Sequence, residues 1–373
     1  MAMTSWKNTV AIQNYITNAI DGGAIGNKQI AGIIGDAPSL YSKSPVLWNA
    51  AFDYLGMNAI YLPLDVDSSC LGDVIAAMRA TDRFLGINVT VPYKRRIMDF
   101  LDEVDLGAER IQAVNTIVRT STGRLVGYNT DGEGFIDSLL VPDPGQSQAF
   151  MSSLREVGVL LLGAGGSARA VAFHLSDLLE GRQLLICNRT AEHAHSLATE
   201  LRRHGRNAHP IDENEIGIWA PKVGLIVNST TKGQGGVRKL PDGRLTDLEP
   251  YSSLASAHPL TITQPDFDNP QARQQWLRAA RADIDANNQS SMNLAQSTPQ
   301  SVRFYDLIYH PEETVFLSHG KLTGHQTRNG KAMIIHQAVI ACCRHICKHH
   351  LIESGKDDAI TYQAISELMF ASW

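Results

Sequence analysis

Three groups of residues have the types and spacing to do chemistry. The first is Gly163-Ala164-Gly165-Gly166-Ser167-Ala168, which follows the apolar run Val157-Gly158-Val159-Leu160-Leu161-Leu162 and leads into Arg169-Ala170. Gly163 permits a tight turn and Gly165 lets the backbone approach a pyrophosphate. A helix opening there offers free N–H groups and its positive dipole end to the phosphates. Glycine spacing alone is also what a close helix–strand crossing needs; strand before and helix after make it a dinucleotide site. The end of the next strand, Cys187-Asn188-Arg189-Thr190, has no carboxylate to hold a ribose 2′-hydroxyl. Arg189 can stack on adenine and pair with a phosphate, and Asn188 and Thr190 can donate hydrogen bonds. The residues therefore favour NADP, with NAD the alternative; a solvated surface arginine is the plainer explanation of Arg189.

A second group consists of polar residues where apolar strands end: Ser42 and Ser44 around Lys43, Asn88 and Thr90 before Pro92, then Lys94, Asn115 and Asp131. Each alone fits a turn, a helix cap or an exposed helix start. The third is Cys342, Cys343, His345, Cys347, His349 and His350. On a helix the pairs Cys343/Cys347 and His345/His349 would share faces and could hold zinc. Structural zinc sites usually close a loop between two separated ligand pairs, and no second pair is evident, so a terminal helix with half-buried thiols and no metal is expected.

These residues need elements to position them. Strands are expected at 29–34, 59–64 and 86–91, and helices at 46–55, 71–79 and 94–101. The alternation restarts at 157–162, followed by a glycine turn, a helix and a strand at 183–187, which implies a second parallel or mixed α/β unit. Pro142-Asp143-Pro144-Gly145 lies in a surface loop between the two. Ahead of the first strand, residues 1–28 form an extension in which Trp6, Val10, Ile16 and Ile20 predict a helix packed on the body. Residues 252–301, rich in Asn, Gln, Ser, Pro and Ala, form an insertion with a helix over 270–284 that Asn269 could cap. Beyond it come a strand at 304–308 and a long helix at 331–350.

With 373 residues there is room for two domains, each with its own core. A net charge of -5, with Lys94-Arg95-Arg96 the densest basic run before the tail, gives no nucleic-acid footprint. No apolar stretch is long enough to span a bilayer. The N-terminus lacks the features of a targeting peptide, and five cysteines without framework spacing fit reduced thiols. The expectation is a cytoplasmic enzyme, monomeric or homodimeric, acting on a small molecule.

In this order the polar groups resemble the shikimate dehydrogenase family across nearly the whole chain outside the extension and the insertion. The blocks are Ser42-Lys43-Ser44-Pro45, Gly86-Ile87-Asn88-Val89-Thr90-Val91-Pro92-Tyr93-Lys94, Ala113-Val114-Asn115-Thr116 and Gly127-Tyr128-Asn129-Thr130-Asp131-Gly132. They continue in the glycine turn, Asn188-Arg189-Thr190, Asn228-Ser229-Thr230, Tyr305-Asp306-Leu307-Ile308-Tyr309 and 333–337. The resemblance implies an N-terminal α/β substrate domain with a mixed sheet, residues 1–131, rejoined by C-terminal helices at 330–373. It implies a Rossmann domain at 132–329 and a cleft between the two. It also implies reversible reduction of 3-dehydroshikimate by NADPH. Ser42 and Ser44 would then hold the substrate carboxylate, and Asn88, Thr90, Asn115 and Gln337 would contact ring hydroxyls or order the site. Tyr309 would reach in from the other side, and Asn228, Ser229 and Thr230 would serve the cofactor.

Hydride delivery to a ring ketone builds negative charge that a proton donor must meet, and Lys94 and Asp131 are the candidates. Trp48 and Tyr41 stand where the family often has His, His193 where NADP users often have a second arginine, and Ala332 where glycine is common. A quinate or mixed quinate/shikimate dehydrogenase using NAD, an aminoshikimate enzyme, and a non-catalytic small-acid sensor are the competing readings. Retention of both Lys94 and Asp131 speaks against the sensor.

Overall fold

The computed structural model describes residues 12–234, 250–257 and 269–373. They divide into two compact units, Met1–Ala149 with Ala332–Trp373, and Phe150–Lys331. The first unit thus runs past the Asp131 expected from the sequence and includes the helix Asp131–Leu140. Its packing explains this: a Cβ on Gly134 would lie 2.6 Å from the Gln337 Cβ and backbone nitrogen, so only glycine lets this helix sit against Lys331–Ile340.

The first unit is built on a six-stranded mixed sheet. In chain order its strands are β1 (Gln29–Gly35), β2 (Ala59–Asp65), β3 (Phe84–Val89), β4 (Glu103–Val104), β5 (Thr116–Arg119) and β6 (Leu125–Tyr128), and in space they run β2-β1-β3-β5-β6-β4. β1 pairs in parallel with β2 and β3, whereas β5 runs antiparallel to β3 and β6. Alternate residues of β1 feed two cores. Ile30 and Ile34 join Leu64, Ile87 and Val89 on one face; Ala31 and Ile33 join Trp48, Phe52 and Tyr61 on the other. Helices Ser44–Leu55 and Ala359–Ala371 cover the second face, the former stopped by Gly56 at φ 70°.

The extension departs from expectation. Trp6 and Val10 lie outside the described residues. From Ile12 on, the chain makes a turn and then runs irregularly along edge strand β2. Thr17 N donates to Asp65 O at 2.8 Å, and the Asn18 side chain bonds Pro63 O at 3.0 Å and Asp65 N at 2.7 Å. These bonds compete with helix formation, while Ile12 and Ile16 still reach the core. The helix expected at 94–101 is only a short turn, Arg96–Phe100.

The second unit carries β7 (Val159–Leu162), β8 (Leu184–Cys187), β9 (Ala208–Ile211), β10 (Leu225–Asn228), β11 (Arg303–Asp306) and β12 (Thr327–Arg328). Its sheet is wholly parallel, in the order β12-β11-β10-β7-β8-β9. The strand order reverses between β7 and β10, the switch point at which Rossmann sheets take their ligand. The insertion helix runs Pro270–Ser297, with Asn269 Oδ1 accepting from Gln271 N at 2.9 Å. It continues past residue 284 because no Gly or Pro interrupts it before Pro299.

The expected helix at 331–350 is broken by a π-helical turn, Ala341–Ile346. Cys347 N bonds Cys342 O at 2.9 Å, one residue further than an α-helix allows, so the four-residue pairing of Cys343 with Cys347 and of His345 with His349 is lost. Cys342 Sγ instead contacts Cys347 Sγ at 3.6 Å inside the core, and His349 pairs on the surface with Glu353. Among the described residues no three of His, Cys, Asp and Glu are grouped to hold a metal ion, and no helix is long and apolar enough to cross a membrane.

Candidate active site

Because β5 runs antiparallel to β3 and β6, its first residues meet the carboxyl ends of both neighbours: Thr116 pairs with Asn88 and with Tyr128. Polar residues scattered through the sequence therefore arrive at one end of the sheet. Asn88 is the penultimate residue of β3, Asn115 precedes β5, and Asp131 opens the helix after β6, where the helix dipole favours its negative charge.

Lys94 Nζ lies 2.6 Å from Asp131 Oδ2, the side chains being 14% and 6% exposed, so water screens the pair poorly. The other carboxylate oxygen accepts from Asn115 Nδ2 at 2.8 Å. Asn115 is the node of the network. Its Nδ2 also lies 3.0 Å from Thr130 Oγ1 and 3.3 Å from Gln337 Oε1, and its Oδ1 accepts from Thr130 N at 2.9 Å and Thr116 Oγ1 at 2.9 Å. Gln337 Oε1 further accepts from Thr130 Oγ1 at 3.2 Å. The Lys94 carbonyl accepts from Val114 N at 2.7 Å, which fixes the root of the lysine.

Asn88 is engaged at both ends. Its Nδ2 donates to Thr116 Oγ1 at 3.0 Å and Asn115 O at 3.3 Å, and its Oδ1 accepts from the Tyr61 hydroxyl at 2.7 Å. Tyr61, not anticipated from the sequence, is 1% exposed. Burial pushes its hydroxyl well above the usual tyrosine range, partly offset by a hydrogen bond with Ser44. Trp48 stacks on Tyr61 with ring centroids 4.9 Å apart and so orients the ring. Ser42 Oγ accepts from Ser44 N at 3.2 Å. Thr90 follows β3, its backbone N donating to Ile34 O at 2.9 Å. Tyr309 belongs to the second unit. Thr116 and Thr130 were also not anticipated; a buried hydroxyl must find a partner, but sequence does not say which.

In the second unit a cavity of about 360 Å³ opens at the carboxyl ends of β7, β8 and β10. Gly163, Ala164, Gly165, Asn188, Arg189, Thr190, Ser229 and Thr230 line it, with His193, Thr231, Lys232, Glu213 and Ser253 beside them. Gly166 and Ser167 form the first turn of the helix Gly166–Leu178, whereas Ala168 and Asn228 are fully buried. Gly163 has φ 115°, and a Cβ there would stand 2.5 Å from Ser229 Oγ, so glycine is required. A Cβ at Gly165 would meet nothing within 4 Å, and no side chain caps this helix start. Open backbone, uncapped N–H groups and the dipole of a helix of 13 residues make a cradle that fits a pyrophosphate.

Asn228 acts from beneath. Its Oδ1 accepts from Thr230 N at 3.0 Å and Thr230 Oγ1 at 2.7 Å, shaping the turn, and its Nδ2 donates to Asp306 Oδ1 at 2.9 Å. Asp306 is wholly buried and also accepts from Ile308 N at 2.9 Å and Thr314 Oγ1 at 2.7 Å. Desolvation prevails over these donors and raises its pKa to about 7. The second unit thus offers a phosphate cradle without a carboxylate at the end of β8, and the first offers a fixed lysine–carboxylate pair.

Comparison with known proteins gives a family match in each unit. Residues 33–117 match the family described as shikimate dehydrogenase substrate binding domain, and residues 146–235 the one described as shikimate / quinate 5-dehydrogenase. A shikimate dehydrogenase (NADP(+)) of Carboxydothermus hydrogenoformans is 35% identical over 316 residues, covering 85% of this chain and 91% of that protein. The crystal structure of shikimate dehydrogenase from Aquifex aeolicus matches with a TM-score of 0.63 at 27% identity, covering 95% of this chain and 99% of the other. Shikimate 5-dehydrogenase from Thermus thermophilus, solved in complex with NADP(H) and shikimate, matches with a TM-score of 0.60 at 25% identity, covering 92% and 99%. The chain belongs to the shikimate dehydrogenase family of NAD(P)-dependent oxidoreductases.

Proposed function

We propose that this protein interconverts 3-dehydroshikimate and shikimate with NADP(H), as a cytoplasmic enzyme. The observation that carries the reading is the Lys94–Asp131 pair with its carboxylate tied to Asn115. The Thermus thermophilus relative, which holds NADP(H) and shikimate, supports the choice of cofactor and substrate, and the five cysteines are all free thiols, in keeping with a reducing compartment.

Bound NADPH supplies the hydride. Negative charge then grows on the former ketone oxygen, and Lys94 delivers the proton that quenches it. Asp131 has one oxygen committed to Asn115, so the other is held toward the lysine and the reacting hydroxyl. In the oxidative direction the same pair takes the proton back. Ser42 and Ser44 hold the substrate carboxylate, while Thr90, Asn115 and Gln337 meet ring hydroxyls. Asn88, whose amide is already engaged at both ends, orders Asn115 and Thr116. Tyr309 enters the substrate set by resemblance alone. For the cofactor, the cradle at Gly163 to Gly165 takes the pyrophosphate, Asn188, Arg189 and Thr190 take the 2′-phosphate side, and Ser229 and Thr230 form the opposite wall.

One assay grid tests this: shikimate and quinate, each with NADP and with NAD, followed by reduced-nicotinamide absorbance. The shikimate/NADP well is expected to turn over fastest. A quinate/NAD maximum would replace the reading with quinate dehydrogenase. No turnover in any well, with ligand binding retained, would make the protein a sensor.

A further inference from the structure

The insertion is joined to the dinucleotide cavity by a continuous chain of hydrogen bonds. Segment 250–257, within which the insertion begins, is clamped by the insertion helix through Asn287, which is 4% exposed. Asn287 Oδ1 accepts from Ser252 N at 2.8 Å, and its Nδ2 donates to Ala255 O at 2.9 Å and Ser256 O at 2.8 Å. Ser291 Oγ donates to Ser252 Oγ at 2.7 Å and tightens the same clamp. From the other side Lys232 Nζ reaches Ala255 O at 3.3 Å while paired with Glu213 Oε1 at 2.7 Å. Glu213 and Lys232 both line the cavity. They stand beside Cys187 at the end of β8: burial first, and then the Glu213 carboxylate, push that thiol up to about 12.

Between these fixed points lies Ser253. It lines the cavity, it is 2% exposed, and its Oγ has no hydrogen-bond partner among the described residues. A buried hydroxyl without a partner costs free energy that a ligand can return. Its neighbours at the ends of β8 and β9 fix which part of a dinucleotide lies near it. The residues following β8 meet the adenosine ribose, whereas the glycine turn meets the pyrophosphate.

We infer that segment 250–257 is the adenosine wall of the dinucleotide cavity, that the Ser253 hydroxyl is its hydrogen-bonding contact, and that the helix Pro270–Ser297 is the brace that holds it. The inference deepens the NADP reading and rests on it. Lys232 is a positioning residue here: it neutralises Glu213, which would otherwise repel the phosphates, and ties the loop after β10 to the wall.

The test is calorimetric titration of the full-length protein with NADP, NAD and adenosine 2′,5′-bisphosphate, alongside thermal melting without ligand. In Ser253→Ala all three ligands should weaken about tenfold, the worth of one good hydrogen bond. Its ligand-free melting temperature should not fall, because the lost hydroxyl bonds nothing among the described residues. Lys232→Met should weaken NADP binding, and Glu213→Gln in the same chain should restore most of the loss by removing the unpaired carboxylate. Unchanged affinity in Ser253→Ala, or a ligand-free melting temperature that falls with it, would overturn the inference and leave the NADP reading standing. A wild-type protein that binds none of the three ligands would overturn both.

Discussion

Asp306 lets burial and hydrogen bonding be weighed against each other in one experiment. The perturbation is Asp306→Asn. The wild-type carboxyl accepts from Asn228, Ile308 and Thr314, three contacts that favour the charged form, yet it is 0% exposed and desolvation lifts its pKa to about 7. In the neutral acid the proton on Oδ2 can donate to Thr314 Oγ1, and an Asn Nδ2 in the same place does likewise, so the amide mimics the acid but does not titrate. With an ordinary Asp near 3.9 and about 1.4 kcal/mol per tenfold, ionising the folded protein costs roughly 4 kcal/mol more than ionising the unfolded chain.

The sign follows from which state keeps the proton. Between about pH 4 and pH 7 the unfolded chain has released it and the folded chain has not, so wild-type stability declines through that window and levels off above it. The assay is denaturant unfolding of wild type and Asp306→Asn at fixed ionic strength across this range, read as the difference between the two. That difference should move against the wild type by roughly 4 kcal/mol, to order of magnitude, as pH rises. A difference that stays flat, or that swings toward the wild type, would refute the reasoning: the three donors would then outweigh burial and hold the carboxylate charged.

Other outcomes are as specific. Lys94→Ala should lower turnover by about 10²–10⁴ while NADP affinity, measured by titration, is unchanged; equal losses in both would remove the lysine from proton transfer. Asn115→Ala strips donors from Asp131 and Gln337 and should cost about 1–3 kcal/mol in denaturant unfolding, with a parallel loss of activity. Gly163→Ala places a Cβ 2.5 Å from Ser229 Oγ at φ 115°. It should abolish measurable NADP binding and destabilise the second unit by about 1–3 kcal/mol; wild-type affinity would contradict the turn's role.

The parts of this molecule legible in the sequence were those where local chemistry has few solutions. A strand running into Gly163-Ala164-Gly165 admits little but the turn observed, and the strands at 29–34 and 59–64 lie within a residue of β1 and β2. Lys94, Asp131, Asn88, Asn115 and Gln337 could be named beforehand because their order resembles a family, and their convergence then rests on β5 running antiparallel. What escaped depends on contacts that no local pattern encodes. Tyr61, Thr116 and Thr130 look like ordinary strand and turn formers until Asn88 and Asn115 are seen to need partners. The π-helical turn shifts a hydrogen-bond register that apolar spacing does not report. The end of the insertion helix was missed because the next buried positions after Ile284 are Asn287 and Ser291, polar residues satisfied by segment 250–257, which break the apolar stripe.

Gln337 lies 222 positions after Asn115, whose side chain it helps to hold. A ribosome that has already emitted Lys94 and Asp131 has still to make all of Phe150–Lys331 before the residue that finishes their surroundings exists. Domains generally fold as units, so Phe150–Lys331 can form during that interval, and a chain halted before residue 337 would carry Lys94 and Asp131 without the contact that completes the network around Asn115.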